Sequence, residues 1–107
     1  MCAVTYIPGK EGCFITSSRD EHMVRPNAID PDVYMHNGIK IMYPKDLKAH
    51  GSWIAYAQNG NAAVLLNGAF KRHITGQPYR KCRGMVFLDI ISHEKPERIN
   101  INLRQVV

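Results

Sequence analysis

The sequence predicts an α+β domain in which antiparallel hairpins carry one or two helices. Two observations point to hairpins. Ala3 to Ile7 is β-branched and aromatic, ends at Pro8-Gly9-Lys10-Glu11-Gly12, and is followed by a second strand-like run from Cys13 to Ser18. Trp53 to Ala57 and Ala62 to Leu66 flank Gln58-Asn59-Gly60-Asn61, where Asn-Gly is a strong turn signal. The third observation is the long apolar stretch Arg80 to Ser92, whose pattern fits a buried helix or a strand.

Each element has its own warrant. A turn centred between Lys10 and Glu11 pairs the first two strands so that Cys2 reaches the level of Arg19. A two-residue Asn-Gly turn in the second hairpin brings Asn67 to the level of Ser52. Ala62 to Leu66 is apolar at every position, which predicts a strand covered on both faces. Val24 to His50 contains Pro26, Pro31 and Pro44 and reads as loop with interrupted strands, with a short strand at Gly38 to Met42. The basic start of Arg80 to Ser92 opposes a helix dipole. Glu97 to Val107 fits a further short helix or strand.

The 107 residues make room for one domain with a modest core. No apolar run approaches the ~18 to 20 residues of a membrane span, and the first ten residues lack the pattern of a secretory signal. Cys2, Cys13 and Cys82 are odd in number and widely spaced, which argues against a disulfide framework and predicts a reducing, cytoplasmic setting. Net charge is +5. Lys71, Arg72, Arg80, Lys81 and Arg83 concentrate that charge, but the interleaved aromatics of a nucleic-acid surface are missing, so no specific nucleic-acid partner is expected. The stretch reads as a solvated loop and helix start.

His22, His36, His50, His73 and His93 show no metal-ligand spacing, and no pair of histidines or methionines is singled out for haem. No metal or cofactor is predicted. Cys2 is different, because removal of Met1 would place a thiol and an α-amine on one residue, with reference pKa values of ~8.5 and ~7.7 to 8.0. A nearby Arg would favour the thiolate and an Asp would orient the ammonium. Hairpin pairing supplies Arg19 and Asp20 as those neighbours. Taken alone, Cys2 also reads as a small buried strand residue, Asn67 as a strand-end residue bonding to a turn, and Arg19-Asp20-Glu21 with Arg25 as a salt-bridged loop. Gly51, Trp53 and Gly60 read as architectural.

The start MCAVTYIP, the segment ITSSRDEHMVRP, the Gly51-Ser52-Trp53 lead and the hairpin AYAQNGNAAVLLNGAF together resemble the NRDE family, also called the transport and Golgi organisation family. That family is similar to cysteine N-terminal-nucleophile hydrolases such as penicillin V acylase. The resemblance implies an αββα sandwich, of which 107 residues supply an N-terminal part with layers missing. It also implies that Cys2 is the nucleophile, that Arg19 and Asp20 flank it, and that Asn67 helps form an oxyanion hole. Ser18 stands where the motif has its opening Asn. The implied activity is hydrolysis of a non-peptide C–N amide bond in a small molecule. The alternative is a non-catalytic module that binds or carries haem or an acyl derivative. A sandwich lacking layers exposes apolar sheet faces, which predicts self-association.

Overall fold

The computed structural model describes residues 3–20, 23–66 and 81–96. The fold is α+β, with two antiparallel sheets and, among the described residues, a single helix. Strands β1 (Ala3–Pro8) and β2 (Cys13–Ser18) form a two-stranded ribbon. Strands β3 (Ile29–His36), β4 (Ile39–Lys45), β5 (Ile54–Ala57) and β6 (Ala62–Val64) form a four-stranded sheet in that order. Helix α1 (Arg83–Ile91) covers one face of it.

The first hairpin takes the predicted register, with Ala3 opposite Ser18 and Pro8 opposite Cys13. The Gly9 N–H donates to the Gly12 carbonyl at 2.7 Å to close its turn, and the Thr5 and Thr16 hydroxyls bond across the ribbon. Cys2 lies outside the described residues.

The segment from Val24 to His50 is more ordered than its prolines suggest, because β3 and β4 form a full hairpin. Asn37 and Gly38 have φ values of 48° and 83°, the two positive angles of a type I′ turn. His36 and Ile39 pair directly across it. The prolines are placed where a missing N–H costs little. Pro31 lies on the outermost strand at the register shift between Ile29 and Asp32, and Pro44 lies beyond the two positions, Ile41 and Met42, at which β4 pairs with β5.

The second hairpin is shifted by one residue from its predicted register. Ile54 pairs with Val64, Ala55 with Ala63 and Tyr56 with Ala62. The loop has three residues, because the Ala57 N–H donates to the Asn61 carbonyl while Gly60, at φ 90°, takes the left-handed position. Continued, this register brings Leu66, rather than Asn67, to the level of Ser52; Asn67 itself lies outside the described residues. The two-sided cover predicted for Ala62 to Leu66 is also corrected. Among the described strands β6 is the outermost of the sheet, Ala62 is exposed, and Leu66 is 48% exposed.

The core follows from strand alternation. Ile41, Tyr43, Ala55 and Ala57 point to one face and meet Phe87, Leu88 and Ile91 of α1. The alanines of β5 leave room for the helix to approach. The opposite face carries Val33, Met35, Met42 and Tyr56, each about half exposed or more.

Of the two readings of Arg80 to Ser92, the helix is the one formed, although its first turn has no acid and its last turn no base. Burial outweighs the unfavourable charge pattern. The helix end is instead satisfied by turn residues. Asn61 Nδ2 donates to the His93 carbonyl at 2.7 Å, and Asn59 Nδ2 donates to the same oxygen at 3.1 Å. Asn37 donates to Ser92 Oγ, while His36 and Lys81 hold Asp89 at 2.7 and 2.8 Å. Burial works against the charged Asp89, but Lys81 and His36 outweigh it and lower its pKa. Glu97 to Val107 lies outside the described residues. No helix among the described residues is long and apolar enough to cross a membrane.

At its other end α1 meets the segment leading into β5 with no space between backbones. A Cβ on Gly51 would lie 2.6 Å from the Gly84 carbonyl carbon. Gly38, in contrast, has open space around it and only its positive φ to protect. Gly51→Ala should therefore cost about 2–3 kcal/mol through forced displacement of the helix, against about 1 kcal/mol for Gly38→Ala. Urea unfolding of the two variants checks the order, and a larger loss at Gly38 would contradict it.

Candidate functional site

Asp46 follows β4 and begins a tight turn. The Asp46 N–H donates to the Gly51 carbonyl, the His50 N–H donates to the Asp46 carbonyl, and His50 takes a positive φ of 59°. Asp46 Oδ1 accepts from the backbone N–H groups of Lys48 and Ala49 at 2.9 and 2.8 Å. Its Oδ2 accepts from Arg19 Nη2 at 2.6 Å and Arg25 Nε at 3.0 Å. One carboxylate, only 9% exposed, thus closes a turn and binds two guanidiniums from the segment that follows β2.

Burial alone would raise the pKa of Asp46. The bonds from Arg25, the Ala49 N–H, Arg19 and the Lys48 N–H outweigh that effect and hold the carboxyl far below the usual carboxylate range. Arg19 is further fixed by Trp53, with its guanidinium carbon 5.1 Å from the ring centroid. Trp53 is therefore both a strand-entry residue and the surface on which Arg19 rests.

These groups line a cleft of about 200 Å³, with Ser17, Gly51, Ser52, Leu65, Cys82 and Arg83 also on its walls. Ser52 is buried and donates to the Ile54 carbonyl at 3.0 Å, while the Cys82 thiol donates to the Ala49 carbonyl at 3.5 Å. The charged lining consists of Arg19, Arg25, Arg83 and Asp46. The cleft is cationic.

Of the sequence-derived site residues, Arg19 lines this cleft, and Asp20 follows it at the exposed end of β2. Cys2 and Asn67 lie outside the described residues. Arg19 and Arg25 of the expected salt-bridged loop are both bound by Asp46, an acid outside that loop; Glu21 lies outside the described residues. Sequence reasoning missed Asp46 and the approach of Arg83. A local signal was present, because Asp followed by Leu47-Lys48-Ala49-His50-Gly51 is suited to a side chain that bonds backbone N–H groups two and three residues on. Nothing local indicates the two arginines.

A second cavity of about 430 Å³ lies between the β1–β2 ribbon and the exposed face of the larger sheet. Ile15, Met42, Pro44, Ile54 and Tyr56 make it apolar. Among the described residues no cluster of three or more His, Cys, Asp or Glu is arranged to hold a metal.

Fold and site together define an α+β protein with an arginine–aspartate cleft at the end of its first hairpin. The chain matches the family described as Transport and Golgi organisation 2 over residues 1–106, and it belongs to that family. No curated protein and no solved structure matches it.

Asp46→Asn should destabilise the fold by about 2–4 kcal/mol, because it leaves two guanidiniums without their anion. The pH dependence has a definite sign. The folded-state pKa of Asp46 is depressed, so the stabilisation is present above the ordinary carboxylate value of ~3.9 and is lost as pH falls toward the folded value. Between pH 5 and 2 the wild type should lose stability more steeply than Asp46→Asn in chemical denaturation. Equal slopes would remove Asp46 from its assigned role.

Proposed function

We propose that this chain is a cysteine N-terminal-nucleophile amidohydrolase acting on a non-peptide C–N amide bond of a small molecule. The observation that carries the reading is the placement of Arg19. β1 pairs with β2 up to Ala3 opposite Ser18, and the residue after Ser18 projects its guanidinium into a cleft, where Asp46 and Trp53 fix it. Under this reading that guanidinium is the cation that favours the Cys2 thiolate.

In the proposed mechanism, the α-amine of Cys2, freed by removal of Met1, accepts the thiol proton as sulfur attacks the amide carbonyl. Asn67 donates to the resulting oxyanion, and Asp20 orients the ammonium. The tetrahedral intermediate collapses to a thioester as the C–N bond breaks, and the ammonium returns the proton to the departing amine. Water, deprotonated by the same amine, then attacks the thioester and releases a carboxylic acid and the Cys2 thiol. With Met1 in place the Cys2 nitrogen is an amide and has no lone pair for this task. The chain supplies an N-terminal part of the acylase-like sandwich under this proposal, and it works in the cytoplasm.

A second reading is favoured by the apolar cavity between the ribbon and the sheet, whose volume lies within the range of small-ligand pockets. Under it the protein carries a hydrophobic molecule, haem or an acyl derivative, without chemistry. The exposed face formed by Val33, Met35, Met42 and Tyr56 further suggests self-association through paired sheets.

Two measurements separate these readings. Intact mass spectrometry of the protein lacking Met1, after incubation with a β-lactam, should show an acyl adduct on Cys2 that is absent from Cys2→Ala. No adduct on the processed protein removes the hydrolase reading, and a haem-induced spectral shift that a His or Cys substitution abolishes would favour the carrier. Light scattering should give a mass of at least twice 12.1 kDa; a well-behaved monomer would exclude self-association.

A further inference from the structure

We infer that the cleft between Arg19 and Arg83 binds the anionic end of a small molecule, a carboxylate or phosphate group, with the molecule's apolar body against Trp53 and Leu65. The inference rests on the hydrolase reading only in calling that molecule the substrate.

The first support is spare donor capacity. Arg19 and Arg83 line the cleft, and Asp46, the acid in its lining, is already saturated by two backbone and two guanidinium donors. Arg83 has no hydrogen bond or ion pair among the described residues, and Arg19 uses a single nitrogen, Nη2, on Asp46. Two planar donor forks therefore border one space with N–H groups to spare. That arrangement suits an oxyanion with two or more acceptor atoms.

The second support is the position of Arg83. It is the first residue of α1, at the positive end of the helix, where a cation is locally unfavourable. No acid occupies the first turn, and the N-cap, Cys82, makes no side-chain cap bond. Such a conflict between local preference and structure is resolved when an external anion enters.

The third support is the fit of the walls. The contact between Gly51 and Gly84 draws the first turn of α1 against Ser52, and Arg83 lines the same cleft as Arg19. Trp53 and Leu65 add an apolar side to a cleft that is otherwise polar. The ligand class this selects is an amphipathic anion with a flat or aliphatic body.

The test uses the full chain carrying Cys2→Ala, which has no nucleophile, titrated with phenylacetate, phenyl phosphate or the neutral phenylacetamide at low ionic strength. Trp53 is the sole tryptophan, so its fluorescence reports the cleft. At least one anion should give a saturable change with an affinity about tenfold above that of phenylacetamide, weakening as NaCl is added. Whichever anion binds tighter identifies the group as carboxylate or phosphate. Arg83→Met should lower anion affinity about tenfold and leave phenylacetamide unchanged, with Arg83→Lys between the two because it keeps charge but not the fork. The inference is overturned if neither anion saturates, if the amide binds as well as the anions, or if Arg83→Met, folded by circular dichroism, binds like its parent. A positive titration without a Cys2 adduct in the separate mass measurement supports an anion-binding protein that is no hydrolase. An adduct without anion binding overturns the inference and leaves a hydrolase of neutral amides.

Discussion

The structure depends on one carboxylate. Asp46 follows β4, closes the turn to Gly51 and receives Arg19 and Arg25. Without it, Arg19 would lose the carboxylate that holds it beside the larger sheet, and the turn that presents Gly51 to α1 would lose two bonds to its backbone N–H groups. A carboxylate so placed is stable because every acceptor site it offers is used. Its burial cost is offset by four donors, two of them charged.

The same residue also positions the cationic lining of the cleft. Arg19 is held on one side by Asp46 and on the other by the Trp53 ring, so its guanidinium is pre-positioned instead of sampling the rotamers of a surface arginine. Preorganisation of this kind is what a site that stabilises charge requires. Close contact between Gly51 and Gly84 extends the principle to the helix, because only residues without a Cβ let the two backbones meet. The result is a cationic cleft made from β2, the turn after β4, the entry to β5 and the start of α1.

Helix α1 shows how hairpin turns can serve a second element. Asn37, Asn59 and Asn61 sit in turns for their own backbone reasons, and their side-chain amides also satisfy groups at the end of the helix. His36 and Lys81 bind Asp89 at the same junction. The helix thus lacks favourable charges of its own at both ends yet is held at both.

The sequence by itself determined what depends on neighbours along the chain. The register of the first ribbon follows from Pro8 to Gly12, and the α+β class follows from hairpin signals with one long apolar segment. The Asn37-Gly38 turn obeys the rule applied at Asn59-Gly60, but the surrounding prolines masked it. At Asn59-Gly60 the backbone chose a three-residue loop, which moved the register by one. Only tertiary structure decided the partners of Arg19 and the approach of Arg83, because charge pairing between residues 19, 25 and 46 depends on how a ribbon and a sheet come to rest together. Local sequence carries turn geometry and periodicity, whereas the choice among several acids for one arginine is made by burial and distance after the core has formed.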